Sequence, residues 1–140
     1  MDRLTEAQRQ LCMRHNKSKN TRPELTVRSI CHAMGLRFRL HNKKLPGTPD
    51  LTLRKYNACI FVHGCFWHAH ENCKLSSTPK TRKEYWLDKL SKNVERDKNN
   101  ISKLIQLGWR VIVIWECETK NPENLKKIIY EKVLKNTSKN

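Results

Sequence analysis

Two short runs of this chain are apolar on both faces, and they limit the possible folds more than any other feature. One is Ala58-Cys59-Ile60-Phe61-Val62, and the other is Trp109–Trp115, in which Arg110 is the single charged residue. Strands of this kind are stable only where both faces are covered, as in the centre of a sheet between helices. The two runs therefore predict central strands of a helix-covered sheet.

The rest of the chain supplies candidate helices and shorter strands around these runs. Thr21-Arg22-Pro23-Glu24 predicts a helix start, because it combines a capping hydroxyl, a proline in the first turn and a carboxylate that closes a capping box. Gly35 predicts the end of that helix, and Asn99-Asn100 suggests that a later long helix breaks into two. The remaining elements are predicted as strand, strand, helix and helix over residues 36–40, 50–53, 81–107 and 123–135. Their order indicates an α/β fold with a mixed sheet flanked by helices.

The charge balance indicates a polyanionic partner. The chain has 140 residues, with 29 Lys and Arg against 13 Asp and Glu, and a formal net charge of +16, which is more than solubility requires. No apolar run approaches the roughly 18 residues of a membrane-spanning helix, and no signal-peptide segment begins the sequence. We therefore expect a cytoplasmic protein with no membrane partner, divided into a basic N-terminal arm, residues 1–20, and a single domain, residues 21–140.

An eleven-residue segment directly after the first apolar run holds three histidines, two cysteines and two large aromatics. Without an export signal, the six cysteines of the chain should stay reduced, which favours zinc binding or burial over disulfides. Cys65, Cys73 and one of His68 or His70 would supply three zinc ligands. Cys117, just past the last predicted strand, would supply the fourth. A Cys₃His structural zinc site is therefore predicted, with buried thiols beside loop histidines as the alternative.

The histidines that zinc leaves unused suggest phosphate-ester chemistry. Imidazole can take a proton from water near neutral pH or donate a hydrogen bond to a phosphate oxygen, and His63 and His68 lie near a strand end. Asp50, which opens the strand over 50–53, offers the hard oxygen ligand that Mg²⁺ prefers. Alone, Asp50 is more often a turn residue and Glu24 a helix-capping carboxylate. Together the four side chains suggest a catalytic site.

Three aromatic side chains, Phe66, Trp67 and Trp86, are candidates for DNA contact. Two adjacent aromatics between metal ligands cannot both face one core, and exposed rings in a basic protein can stack on bases or wedge between base pairs. Trp86 also fits the buried face of a helix. Basic residues within 9–22 would contact backbone phosphates, which carry little sequence information.

Several segments of the chain resemble the very-short-patch (Vsr) DNA mismatch repair endonucleases. The most specific part is the His-Gly-Cys-Phe-Trp-His run that begins at His63, followed much later by Trp115-Glu116-Cys117. The other matching segments are 21–24, 45–50, 81–86, 92–97 and 108–111. The resemblance implies a restriction-endonuclease-like fold with a structural zinc. It also implies an enzyme that nicks one strand of duplex DNA 5′ to the thymine of a T:G mismatch, the product of 5-methylcytosine deamination.

For catalysis, the resemblance implies a Mg²⁺ ion that the carboxylate of Asp50 and the backbone carbonyl of Val62 bind. His68 would be the general base, His63 would support the reacting phosphate, and Glu24 would act through water or through His68.

For structure and DNA contact, the resemblance implies two further sets of residues. The structural zinc ligands would be Cys65, His70, Cys73 and Cys117. The wedge that opens the duplex from the major groove would be Phe66, Trp67 and Trp86. Met13, on the N-terminal arm, would approach from the minor groove. The implied partner is double-stranded DNA with a T:G mismatch, bound by a monomer, with mismatch-repair proteins as further candidate partners.

Two other functions stay open at this point. One is a nicking endonuclease of relaxed specificity, associated with a restriction–modification system, that cuts at other mispairs or flanking sequences. The other is a zinc-stapled DNA-binding module without catalysis. A module of that kind would be indifferent to Asp50→Ala.

Overall fold

The computed structural model describes residues 21–68, 70, 71, 73 and 82–135. Its elements in chain order are α1 (Arg22–Ala33), β1 (Arg39–Leu40), β2 (Leu51–Leu53), β3 (Ala58–His63), α2 (Lys83–Gln106), β4 (Arg110–Trp115) and α3 (Pro122–Ile129). Short 3₁₀ turns follow β2 and β4, and a π-helical turn over Tyr130–Leu134 follows α3. The predicted order of helix, three strands, helix, strand and helix is confirmed. The proposed N-terminal arm, with Met13, lies outside the described residues.

The strands form one mixed sheet in the order β1-β2-β3-β4. β2 pairs antiparallel with both β1 and β3, whereas β3 runs parallel to β4, from the Ala58–Arg110 pair to the His63–Trp115 pair. Because parallel neighbours point the same way, the segments that follow β3 and β4 begin at the same edge of the sheet. This edge brings the histidine- and cysteine-rich segment beside Cys117.

Helices cover both faces of the sheet, as the two apolar runs predict. On one face, α1 and α3 pack on the strands through a core that includes Val27, Leu51, Ile60, Ile114, Leu125 and Ile129. On the other face, Leu104 of α2 packs beside Cys59 and Phe61. β4 is an edge strand of the described sheet, and several of its side chains are only half-buried. The prediction of a central strand is therefore confirmed for β3 and wrong for β4.

Local signals set the first helix, and tertiary packing sets the long one. The Thr21 hydroxyl caps α1 by accepting the N–H of Glu24 at 3.4 Å, and the chain leaves the helix at Gly35, whose φ is +77°. α2 continues without interruption through Asn99-Asn100, so the expected break is wrong. The low helix propensity of asparagine is outweighed there because α2 buries apolar side chains on both sides of the pair, Trp86 and Leu90 before it and Leu104 after it. Among the described residues, no helix is long and apolar enough to cross a membrane.

Candidate active site

A cleft of about 990 Å³ opens beside the end of β3. The start of α1, the loop before β2, the end of β3 and the middle of α2 form its walls. All four predicted catalytic side chains line it: Glu24, Asp50, His63 and His68. Three cationic side chains line it as well: Lys43, Lys89 and Arg96. Carboxylates, imidazoles and positive charge in one concave site are the combination that phosphodiester hydrolysis uses.

A pair of carboxylates, Asp50 and Glu24, lies on one side of this cleft. Oδ2 of Asp50 accepts the backbone N–H of Val62 at 2.7 Å, and a carboxylate oxygen of Asp50 lies within 4.8 Å of one from Glu24. Burial raises the pKa of Asp50 to about 7, and the Glu24 carboxylate adds to the rise, whereas the Val62 N–H and the Arg28 guanidinium oppose it. The buried Glu24 side chain accepts hydrogen bonds from Arg28 and, at 3.0 Å, from Nε2 of His41. Glu24 thus belongs to this cluster instead of closing the predicted capping box.

This carboxylate pair fits a divalent cation. Glu24, His41 and Asp50 each offer one ligand atom, and these atoms lie within 4.8 Å of one another. Carboxylate oxygens are the ligands that hard cations such as Mg²⁺ prefer. The backbone of Val62 belongs to the same site because its N–H is bound to Asp50.

A pair of histidines lies further along the cleft. The rings of His63 and His68 stack with centroids 3.8 Å apart and an interplanar angle of 5°. Nδ1 of His68 lies 2.5 Å from Oδ2 of Asp97, and a carboxylate can only accept, so this nitrogen carries the proton. Burial, and to a smaller extent the neighbouring His68, lower the pKa of His63 to about 4, and Asp97 partly opposes them. His63 is therefore a neutral imidazole near pH 7.

Asp97 is a site residue that the sequence reasoning did not assign. It lies in α2, seven residues after the buried Leu90 and seven before the buried Leu104, which is two turns of helix in each direction. The available signal was a lone acid on the face of an amphipathic helix that packs on the sheet.

Four potential metal ligands converge behind the histidine pair. One ligand atom from each of Cys65, His70, Cys73 and Cys117 lies within 4.8 Å of the others. Cys117 donates its N–H to Sγ of Cys65 at 3.4 Å, and its own sulfur lies 3.5 Å from Nδ1 of His70. Three sulfurs and one imidazole are a typical donor set for tetrahedral structural zinc. Burial raises the pKa of Cys65 to about 12 and also raises that of Cys117, so these thiols need a cation beside them to ionise at neutral pH.

The three candidate aromatics form one cluster. Phe66 packs edge to face on Trp67 and on Trp86, with centroids 5.0 and 5.4 Å apart, and the two indoles are 6.0 Å apart. The expectation that adjacent rings cannot share one core is wrong, because tilted packing lets both contact Trp86. Trp86 is only 4% exposed, so Phe66 and Trp67, which are half-buried, form the accessible surface. Asn93 of α2 donates a hydrogen bond to the carbonyl of Trp67 at 3.1 Å.

Residues 1–75 match the family model of the DNA mismatch endonuclease Vsr. The chain is 49% identical over 117 residues to the type II nicking enzyme V.XorIIP of Xanthomonas oryzae, a match that covers 84% of this chain and 85% of the relative. It is 45% identical over 120 residues to the DNA mismatch endonuclease Vsr of Escherichia coli, with 86% and 76% covered. This chain belongs to the Vsr family. The type II nicking enzyme V.NmeAIP of Neisseria meningitidis is a further relative, at 40% identity over 134 residues that cover 93% of this chain and 95% of the relative.

The fold of this Vsr-family chain also has a neighbour among solved structures. The catalytic domain of the homing endonuclease I-Bth0305I superposes with a TM-score of 0.56 at 23% identity, covering 80% of this chain and 93% of that domain. The predicted restriction-endonuclease-like sheet flanked by helices is confirmed. As a Vsr-family member the chain is a DNA endonuclease, which argues against the non-catalytic DNA-binding module. A nuclease of this family uses a divalent metal, and the groups described above could hold one.

Proposed function

We propose that this chain is a Mg²⁺-dependent mismatch endonuclease that nicks one strand of duplex DNA 5′ to the thymine of a T:G mismatch. The arrangement of one cleft carries the proposal. The carboxylate pair and the histidine pair both line it, and Trp67 of the aromatic cluster lines it too. Hydrolytic groups and a potential wedge therefore face the same substrate.

The carboxylate pair would hold the catalytic cation. Asp50 would bind Mg²⁺ through its carboxylate and Val62 through its backbone carbonyl, with Glu24 beside them. Mg²⁺ would stabilise negative charge on the scissile phosphate and on the leaving 3′ oxygen.

The histidine pair would move the proton and contact the phosphate. With its Nδ1 proton directed to Asp97, the neutral form of His68 has an unprotonated Nε2 that can accept a proton from the attacking water. Asp97 would hold the ring in this tautomer and stabilise it once it is protonated. His63, neutral near pH 7, would donate a hydrogen bond to a phosphate oxygen.

The cysteine and histidine cluster would bind a structural zinc and fix the loop that carries the active groups. Phe66, Trp67 and His68 lie between the first ligand, Cys65, and the second, His70. A single rigid loop would then set the distance between the wedge and the general base.

DNA recognition would combine the aromatic wedge with basic contacts. Phe66 and Trp67 would enter the opened base step, backed by the buried Trp86. A mismatch lowers the cost of unstacking, so a wedge that needs an opened step selects for it. Lys43, Lys89 and Arg96 would contact phosphates, which position the duplex but carry no sequence information. Residues 1–20 would form the DNA-contacting arm, with Met13 in the minor groove, and residues 21–140 one nuclease domain that acts as a monomer.

A nicking assay tests this function. End-labelled duplexes would carry one central T:G pair, the matched T:A pair or another mispair, in several flanking sequences, with Mg²⁺ present or chelated. We expect Mg²⁺-dependent cleavage of the T strand only, 5′ to the mismatch. Asp50→Ala or His68→Ala should abolish nicking and leave DNA affinity within a few-fold. Full activity of Asp50→Ala would refute the assignment of the metal site.

A relaxed nicking endonuclease of a restriction–modification system is the second candidate. It is favoured by the names of several relatives, since V.XorIIP and V.NmeAIP are type II nicking enzymes. Equal cleavage of other mispairs or of matched DNA in the same assay would favour this function over T:G repair.

A further inference from the structure

We propose that His41 is a positioning residue that fixes the orientation of the Glu24 carboxylate at the metal site. The proposal rests on the proposed function, because it concerns the cation that Asp50 would bind.

His41 contacts both acidic residues of the site, although it lies in the loop between β1 and β2. Nε2 of its ring is 3.0 Å from Oε2 of Glu24, seventeen positions earlier in the sequence. Its backbone N–H donates to the carbonyl oxygen of Asp50 at 3.1 Å. The ring of His41 thus contacts the Glu24 carboxylate, while the backbone N–H of His41 binds the backbone carbonyl of Asp50.

The backbone of His41 is in a conformation that few residues other than glycine adopt. Its φ is +46°, in the left-handed region, where histidine is found more often than most side chains, as asparagine and aspartate are. Conformations of this kind persist where surrounding contacts require them, and they are concentrated at functional sites. At His41 the left-handed backbone occurs together with the ring contact to Glu24 and the N–H bond to Asp50.

Glu24 is held from two directions at one oxygen. Arg28, one turn later on α1, donates to the same Oε2, and its Nη2 atom lies 3.4 Å from Nε2 of His41. The carboxylate is 2% exposed, so water cannot readily replace a lost donor. With Oε2 fixed between a ring and a guanidinium, the carboxylate keeps one rotation beside Asp50, whose ligand atom lies within 4.8 Å of the one from Glu24.

Removal of the ring should therefore weaken cation binding without abolishing the fold. Residues that support metal ligands typically contribute about 10- to 100-fold to metal affinity or activity. For His41→Ala we expect a loss of that order in Mn²⁺ affinity, measured by EPR titration of the zinc-loaded, DNA-free protein. The Mg²⁺ concentration for half-maximal nicking should rise by a similar factor.

Three further variants distinguish the effect of the His41 ring from the effect of its backbone conformation and from a general effect of losing a histidine. His41→Asn suits the left-handed backbone but is too short to reach Glu24, so it should behave like His41→Ala. His41→Gln carries an amide N–H that can reach Oε2, and it should restore most of the Mn²⁺ affinity. His32→Ala removes an exposed histidine from the same helix as Glu24 and should change nothing. Zinc content and thermal unfolding would verify that each variant is folded.

The possible results distinguish this proposal from the proposed function. If Asp50→Ala loses Mn²⁺ binding but His41→Ala binds Mn²⁺ like wild type, the role of His41 is refuted and the metal site stands. If His41→Asn retains full affinity, the loop backbone and not the ring is what matters, and the proposal is again refuted. A directly bound nitrogen in the pulsed EPR spectrum of Mn²⁺ that disappears in His41→Ala would make His41 a ligand, not a positioning residue. If Asp50→Ala also binds Mn²⁺ normally, the proposed metal site itself is wrong.

Discussion

Asp97→Asn is the substitution that tests most directly how the cleft sets up a general base. Oδ2 of Asp97 lies 2.5 Å from Nδ1 of His68, and the two side chains are only 22% and 27% exposed. Asn has nearly the same shape, so packing of α2 against the loop should be preserved. The substitution replaces the charged acceptor of the His68 ring with a neutral one. The ring therefore lacks a negative partner when it takes up a proton.

The expected loss follows from the strength of that hydrogen bond. A hydrogen bond to a charged group contributes about 1.5–3 kcal/mol, which corresponds to a decrease of about 10- to 150-fold in the rate of nicking. The loss is larger if the amide N–H₂ turns toward the ring, because His68 would then carry its proton on Nε2 and could no longer accept one. In serine proteases the equivalent change of tautomer costs about 10⁴-fold.

The assay is single-turnover nicking of an end-labelled T:G duplex at saturating enzyme, with DNA affinity measured separately. Asp88→Asn is the matched control, because Asp88 lies in the same helix and pairs with Lys92 on the surface, where the two side chains are 68% and 71% exposed. We expect the control to nick like wild type and Asp97→Asn to bind DNA normally but nick slowly. Equal nicking rates in the two variants would refute the role of Asp97.

Three other predictions concern zinc, stability and buried thiols. Cys117→Ser should lose bound zinc and thermal stability together, as metal analysis and calorimetry would measure, and unchanged zinc content would mean that Cys117 is not a ligand. Arg110→Ala should lower the free energy of unfolding in urea by about 1.5–3 kcal/mol, because its guanidinium donates to the carbonyls of Tyr56 and Val133 at 2.9 and 3.0 Å; an unchanged unfolding curve would contradict this. Burial raises the pKa of Cys31 to about 12, so the folded state retains this proton above pH 9, where the unfolded chain releases it. The free energy of unfolding of the wild type should therefore fall from pH 9 toward pH 12 relative to that of Cys31→Ala. Parallel pH profiles of the two proteins would refute this prediction.

Much of the fold could be predicted because its signals are local. The two-sided apolar runs predict buried strands without knowledge of what covers them, and the Thr21 cap and Gly35 mark a helix within a single segment. The missing break at Asn99-Asn100 has the opposite cause. Whether α2 continues through Asn99-Asn100 depends on its packing against the sheet, which residue propensities do not describe.

The site could be predicted in its residue types but not in its pairings. His63, His68 and the cysteines are close in sequence, so their concentration alone indicates a functional segment. The contact of Asp97 with His68 joins residues 29 positions apart, and that of His41 with Glu24 spans 17. Contacts of this kind depend on how helices and loops pack, and no periodicity in the sequence encodes them.

The long helix α2 contacts the aromatic cluster, His68 and the loop before β2 at different residues, and this restricts how the chain can change in length. Along α2, Trp86 supports the aromatic cluster and Asn93 the Trp67 carbonyl. Asp97 binds His68, and Asn100 packs so closely on the loop before β2 that a Cβ at Gly47 would lie 3.0 Å from its own. One inserted residue shifts everything beyond it by about 1.5 Å and turns it by about 100°. An insertion between positions 86 and 97 would thus remove either the support of Trp86 for the aromatic cluster or the contact of Asp97 with His68, so during divergence this stretch should keep its length while surface loops gain and lose residues.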